Sequence, residues 1–170
     1  LISMLIISML VKSNVRRTLT QETENPGHLA RRFHQIAVAI FHAEVEAVGS
    51  DLTPVQYAAL AKIRTEPGLD QATLAGLVAQ DRATICGVVD RLVEKGLVAR
   101  TVNKEDRRAR VLHVTAAGRR ILAHIEPAVE ATQSRLLSGL TEKEARELKR
   151  LLSKAIASVN ELSRAPLIPA

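Results

Sequence analysis

Basic side chains are concentrated in one short part of the chain. Eleven consecutive residues, 100–110, contain five of them: Arg100, Lys104, Arg107, Arg108 and Arg110. Cationic groups spaced this closely can neutralise the phosphates of a nucleic acid and release its counterions. Arginine can also enter a narrow minor groove, where the negative potential of DNA is enhanced. A charged loop is more often only solvated, so the elements around this cluster decide whether it binds anything.

The basic cluster lies between two short runs, 97–102 and 110–114, whose residue types are typical of β-strands. The charged stretch 103–109 separates these runs, so the sequence predicts a hairpin with a charged tip. A hairpin of this kind can reach the backbone or the minor groove of a duplex when a neighbouring element is already seated in the major groove.

Two helices are predicted directly before this hairpin. Asp70 is a suitable N-cap for a short helix that ends near Ala79, and Asp81 for a second helix that runs from Arg82 to Lys95. Gly96 supplies the C-terminal stop of the second helix. Only residues 80–81 separate the two helices, and a helix-turn-helix needs a linker this short. We therefore predict a helix-turn-helix followed by a β-wing.

The second helix of this pair is predicted to be amphipathic. One stripe is apolar and faces the core, and the opposite face is polar and meets solvent or a partner. The major groove of B-DNA is wide enough to admit an α-helix. The apolar stripe consists of Ile85, Val88, Val89, Leu92 and Val93, and the polar face of Arg82, Thr84, Asp90, Arg91, Glu94 and Lys95.

The remaining predicted helices flank this motif. They cover 28–48, 54–64, 116–138 and 141–162, and Thr53 with Gln56 and Thr141 with Glu144 form capping boxes. Pro127 lies inside the third of these helices, where we expect a kink. The fold class is therefore mainly α with a small β-wing.

Composition agrees with this fold class and excludes several functions. The chain has 24 Lys+Arg against 18 Asp+Glu, a net charge of +6 that suits an anionic partner. One cysteine, Cys86, excludes an intramolecular disulfide. No glycine-rich phosphate loop and no nucleophile elbow is found, so we expect no enzyme, no cofactor and no metal. The five histidines lack metal-ligand spacing: His28, His34, His42, His113 and His124.

The first eleven residues are nearly all apolar, and 12–25 reads as a polar linker. An apolar run of this length is too short to span a bilayer, and the positive charges follow it rather than precede it as in a signal peptide. Three interpretations stay open for it: a non-native or mis-assigned start, an arm that packs on a partner subunit, or a membrane anchor. We expect a cytoplasmic protein without a membrane partner.

Several fragments, in this order, resemble the MarR family of bacterial regulators. The resemblance extends from about Arg31 to Leu152, which is most of the chain. The matching fragments are 52–57 (LTPVQY), 74–75 (LA), 90–98 (DRLVEKGLV), 106–110 (DRRAR) and 114–118 (VTAAG).

The resemblance implies a homodimer whose terminal helices pack together while the winged lobes contact DNA. It assigns 1–25 to an N-terminal extension, 26–50 and 116–165 to dimerisation helices, and 51–115 to the DNA-binding lobe. A two-fold dimer would bind a pseudo-palindrome with half-sites about 34 Å apart. The apolar faces assigned to the dimer are those of Ile121, Leu122, Ile125, Leu136, Leu137 and the stripe from Leu148 to Val159.

The same resemblance implies a set of DNA contacts. On the recognition helix, Arg82, Thr84 and Cys86 would face base edges and phosphates, and Arg82 can bond guanine bidentately. Arg91 would contact a phosphate, or would pair with Asp90 or Glu94 instead. On the wing, Asp106 would orient Arg108 in the minor groove, while Arg107 and Lys104 would hold phosphates.

Regulators of this family commonly bind a small anionic aromatic compound that weakens DNA binding. The pair Arg31 and Arg32 resembles members that respond to an aromatic acid or its acyl-CoA thioester. The residues implied for this effector are Arg31, Arg32, His34, Phe41, His42 and Tyr57. Arginine can pair with a carboxylate and aromatic rings can stack. The alternative for Phe41 is a core position, and for His34 and His42 a surface or interface position. Cys86 is expected to be a small apolar residue rather than a redox sensor.

One function from another class stays open. A helical dimer that serves only as an interaction scaffold, without DNA binding, would explain the long helices. It would not explain the basic hairpin.

Overall fold

The computed structural model describes residues 25–103 and 110–167. Within these residues, six α-helices and a two-stranded sheet follow one another along the chain. They are α1 (Pro26–Ala47), α2 (Pro54–Thr65), α3 (Gln71–Leu77), α4 (Arg82–Glu94), β1 (Val98–Val102), β2 (Arg110–Val114), α5 (Ala116–Leu136), α6 (Glu142–Val159) and a 3₁₀ turn (Asn160–Leu162). The prediction of a mainly helical chain with a small wing is confirmed. No helix in this part of the chain combines the length and the apolarity needed to cross a bilayer.

The chain divides into two compact units, Leu1–Ala39 and Ile40–Ala170, and each is described by itself. The described part of the first unit is the beginning of α1. This helix starts two residues earlier than predicted, because the Asn25 side chain accepts a hydrogen bond from the Gly27 amide at 2.9 Å and Pro26 suits a first helical position. Leu29 and Ile36 are about half exposed here.

The second unit holds one aliphatic core. Most of its fully buried side chains come from α2, α3, α4, β2 and α5, and Leu52 joins them from the segment before α2, so these elements form a single packed lobe. The largest of them are Leu52, Leu60, Ile63, Leu74, Ile85, Leu92, Leu112, Leu122 and Ile125.

The predicted helix caps are present. Thr53 and Gln56 form the capping box of α2, and Thr141 and Glu144 that of α6. Asp70 accepts hydrogen bonds from two backbone amides at the start of α3, which lower the pKa of its carboxyl group. Capping fixes where these helices begin, because it satisfies amides that have no partner inside the helix.

The wing is joined to α5 through one residue. β1 and β2 are antiparallel, with Val98 opposite Val114 and Val102 opposite Arg110. Thr115 follows β2 directly, donates a hydrogen bond to the Gly96 carbonyl at 2.7 Å and caps α5 by accepting from the Gly118 amide at 3.0 Å. A Cβ atom at position 118 would lie 2.2 Å from the Leu97 carbonyl oxygen. Glycine is therefore required for this close approach.

The two C-terminal helices differ from their predictions. Leu122 and Ile125, which we predicted to face a partner subunit, are buried in the core of this chain's own lobe. Helix α5 contains Pro127 in its interior and ends at Leu136 rather than near Ser138. Helix α6 ends at Val159, where the chain tightens into the 3₁₀ turn, and it has no buried residue.

Candidate nucleic-acid interface

The turn between α3 and α4 is fixed by two backbone hydrogen bonds. The Gln80 amide donates to the Ala75 carbonyl at 3.0 Å and the Ala79 amide to the Gly76 carbonyl at 3.3 Å. This is the Schellman arrangement, which places the residue after the helix cap in the left-handed region. That residue is Ala79, with φ of 50°, although glycine is the usual choice there. The turn thus holds a strained conformation that determines the angle between the two helices.

Helix α4 is oriented by its apolar stripe. Ile85, Val89 and Leu92 are completely buried, and Val88 and Val93 pack against the same core. All six predicted polar-face residues, Arg82, Thr84, Asp90, Arg91, Glu94 and Lys95, are exposed. The amphipathic prediction for this helix is therefore confirmed, and its polar face is open to solvent.

The first turn of α4 is organised by Asp81. Its carboxylate accepts the Thr84 amide at 2.9 Å and the Thr84 hydroxyl at 2.6 Å. These hydrogen bonds, that of the hydroxyl first, lower the pKa of Asp81, so the carboxylate is charged at neutral pH. The Thr84 hydroxyl has one proton to donate, and it donates that proton in the hydrogen bond to Asp81. A contact from Thr84 to a phosphate oxygen would require this bond to break, whereas a contact to a base amino group could use the lone pairs of the hydroxyl and leave the bond in place. The DNA role of Thr84 stays a prediction.

The other predicted contacts on α4 are accessible. Arg82, Cys86 and Arg91 are exposed, and Cys86 carries a free thiol. Gly87 lies between them on the same face, and a Cβ atom there would meet no other atom within 4 Å. The middle of this face is therefore open to close approach by another molecule.

Two ion pairs near α4 were not predicted from the sequence. Asp90 pairs with Arg100 of β1, which links α4 to the wing, and Asp51 pairs with Lys95. Asp90 was considered as a partner of Arg91, but Arg100 occupies its carboxylate. Arg100 is thereby removed from the group of wing cations that are free to bind phosphate. No spacing rule connects residues on a helix and a strand, so the sequence carried no signal for these pairs.

The four wing-tip residues predicted to contact DNA, Lys104, Asp106, Arg107 and Arg108, lie outside the described residues. Arg110, which begins β2 directly after them, is exposed. The roles assigned to the wing tip stay predictions.

The residues predicted for effector binding fall into two groups. Arg31, Arg32 and His34 are exposed on α1 in the first unit. In the second unit, the Phe41 ring lies 6.0 Å from that of Tyr57 and 6.1 Å from that of His42, measured between centroids. Phe41 is buried, as its alternative assignment to the core proposed, while His42 is exposed. The ring cluster exists, and its role in ligand binding stays a prediction.

Metal binding finds no support in the part of the chain that the structure describes. No three His, Cys, Asp or Glu side chains come together there in a group that could hold a metal ion.

The chain is similar to a known family and to individual transcriptional regulators. Residues 52–109 match the model of the MarR family. A putative transcriptional regulatory protein for the hcr operon of Thauera aromatica is 37% identical over 127 residues, which cover 75% of this chain and 75% of that protein. The HTH-type transcriptional repressor NicR of Pseudomonas putida is 32% identical over 136 residues, covering 80% of this chain and 85% of that protein.

Two solved structures extend the similarity to the fold. Bordetella bronchiseptica BpsR, whose DNA binding is regulated by 6-hydroxynicotinic acid, is 31% identical with a TM-score of 0.74, covering 78% of this chain and 94% of that one. The transcriptional repressor CouR, bound to a 23-mer DNA duplex, is 27% identical with a TM-score of 0.74, covering 79% of this chain and 94% of that one.

Proposed function

The chain belongs to the MarR family of transcriptional regulators, and from this premise we propose that it is a ligand-responsive repressor that binds a pseudo-palindromic operator as a homodimer. It is a regulator rather than an enzyme. As a DNA-binding protein it would act in the cytoplasm, where the DNA is.

The exposed polar face of α4 is the observation that carries this proposal. The stripe of Ile85, Val89 and Leu92 anchors the helix to the core, so that Arg82 and Arg91 face outward on a rigid element. An arginine held in this way can reach a guanine edge in the major groove. The wing beside it supplies further cations for the backbone.

Dimerisation is supported by the apolar stripe of α6. Leu151, Leu152, Ile156 and Val159 are between 40% and 57% exposed, although they lie on one face of a capped helix. A continuous apolar face that stays open to solvent marks an interaction surface. A second copy of α6 would cover it, and a two-fold dimer would then present two α4 helices to successive turns of the major groove.

The proposal is tested by operator binding. Fluorescence anisotropy with duplexes from the region upstream of the gene, across a salt series, should show tight binding that weakens steeply as salt rises. Arg82→Ala should weaken it about tenfold to a hundredfold and relax base preference at one position of each half-site. Arg108→Ala should weaken it through lost wing contacts.

Arg146→Ala is the matched control, because it removes the same charge from the polar side of α6 and should leave affinity unchanged. No binding to any such duplex at low salt would contradict the proposal. The alternative, a helical dimeric scaffold without DNA binding, would then explain the chain better.

For the effector we propose a small aromatic acid or its acyl-CoA thioester. The residues proposed to contact it are Arg31, Arg32 and His34 of α1, and separately Phe41, His42 and Tyr57. The regulation of BpsR by 6-hydroxynicotinic acid supports the choice of an aromatic acid. The same anisotropy assay, repeated with 6-hydroxynicotinate, should show release of the operator, and Arg31→Gln with Arg32→Gln should abolish that release.

A further inference from the structure

A small cavity lies at the base of the wing. It has a volume of about 200 Å³ and is half open to solvent. Its walls come from the end of α2, the turn that follows it, the end of β2 and the start of α5. The described residues that line it are Ile63, Arg64, Pro67, His113, Val114 and Arg119. Three of these six side chains carry nitrogen donors, and none is a carboxylate.

Each of the two guanidinium groups of the cavity has one polar partner. The Arg119 Nη1 atom donates to the Val114 carbonyl oxygen at 2.9 Å, which uses one of its five N–H donors. Arg64 forms an ion pair with Glu126 at 3.5 Å, in which both side chains are more than a third exposed. Exposed pairs of this kind contribute little free energy. Both arginines therefore keep donors for an anion in the cavity.

The size of the cavity limits what it can hold. At about 200 Å³ it is smaller than the pockets of roughly 300 to 1,000 Å³ that hold drug-sized ligands. A single-ring acid is of this size, whereas a nucleotide or a coenzyme A thioester is much larger. Ile63, Pro67 and Val114 give the cavity apolar walls, which suit a compact apolar body better than a fully hydrated ion.

We propose that this cavity binds a small carboxylate with a compact apolar body, with its carboxylate held by Arg64, His113 and Arg119. Guanidinium groups match a carboxylate in geometry and charge. The site shares no residue with the effector set proposed above. The turn around Pro67 is already tied to β2, because the Gly68 amide donates to the Leu112 carbonyl at 3.1 Å and the Leu112 amide to the Leu69 carbonyl at 2.8 Å. A bound carboxylate would join α2, β2 and α5 where the wing begins.

Thermal unfolding of the full chain carrying Arg31→Gln and Arg32→Gln, which remove the arginines of the proposed effector set, tests the proposal with benzoate as the probe. At constant ionic strength and with chloride as the reference anion, saturating benzoate should raise the Tm by about 3 °C. Arg64→Gln and Arg119→Gln should each abolish this rise. Arg120→Gln, which removes the same charge one residue further along α5, should retain it. Two variants are needed because Arg119→Gln also loses a structural hydrogen bond.

The same rise in both cavity variants would overturn the proposal, as would an equal rise with inorganic phosphate, since phosphate has no apolar body. The experiment is independent of the proposed repressor function. If benzoate fails to bind here, operator binding still stands on its own assay. If operator binding fails, the benzoate result still decides whether the cavity is a site. Loss of operator affinity in Arg119→Gln without any benzoate effect would identify a DNA phosphate contact instead.

Discussion

Similar apolar residues have opposite roles in the winged lobe and in helix α6. In α4, the apolar stripe is buried completely by neighbouring elements of the same chain, and the polar face is the exposed one. In α6, the apolar stripe is just as regular, yet none of its residues is buried. Both helices are capped and well formed, so the difference does not arise from local sequence preference.

This difference separates two tasks that an amphipathic helix can have. A stripe buried in its own chain stabilises the lobe and frees the opposite face for function. A stripe left exposed stabilises nothing until another surface covers it, which makes the folding of α6 dependent on association. The lobe is thus expected to withstand loss of the partner, and α6 is not.

The largest expected effect comes from placing a charge on the α6 stripe. Ile156→Glu would occur twice in a two-fold dimer and bury two unpaired carboxylates, so we expect the dimer Kd to rise at least about a thousandfold. Analytical ultracentrifugation measures the change. Ala157→Glu, the control, adds the same charge on the opposite side of the helix and should leave the dimer intact. A dimer that survives Ile156→Glu at micromolar concentration would show that the stripe is not its interface.

A smaller effect is expected from the buried stripe of α4. Leu92 is 0% exposed, so Leu92→Ala should lower the free energy of unfolding by about 3 kcal/mol through lost burial and a new cavity. The measurement is urea unfolding followed by circular dichroism, in the Ile156→Glu background so that association does not contribute. Leu151→Ala, at a stripe position that is 49% exposed, should change little in that background. Equal losses of unfolding free energy in the two variants would contradict the distinction between a buried stripe in α4 and an exposed stripe in α6.

The smallest effect is expected at the turn that orients α4. Ala79 has a positive φ, so Ala79→Gly should relieve strain and raise the free energy of unfolding by roughly 0.5 to 1 kcal/mol. Ala83→Gly, at the second residue of α4, should lower the free energy of unfolding by less than about 1 kcal/mol. Urea unfolding of both variants shows whether each substitution raises or lowers the free energy of unfolding. A loss in Ala79→Gly would mean that the left-handed turn is not retained in solution.

The lobe could be predicted from the sequence because its signals are local. Caps at Asp70, Asp81 and Thr115 mark where helices begin, and the spacing of Ile85, Val89 and Leu92 identifies the buried side of α4. The hydrogen bond from Thr84 to Asp81 could also have been found, because a threonine three residues after an aspartate N-cap is within its reach.

What covers an apolar face could not be predicted in the same way. The pattern of α5 shows that Leu122 and Ile125 share a side, but not that this side meets the lobe rather than another subunit. The pairing of Arg100 with Asp90 and the cavity between Arg64 and Arg119 depend on how separate elements pack. Such contacts leave no periodic trace in one sequence, since they join residues that are distant along the chain or on different kinds of element.

Thr115 couples the base of the wing directly to α5. It is the only residue between β2 and α5, and its side chain is bonded to both the Gly96 carbonyl and the Gly118 amide. No flexible linker separates β2 from α5, and the buried side chains of Leu122 and Ile125 pack the next turns of α5 against the lobe. Helix α5 is therefore a lever about 30 Å long. A displacement at its far end, near Leu136, would reach the wing through the helix itself, and Pro127 is the interior position at which we expect the helix to bend.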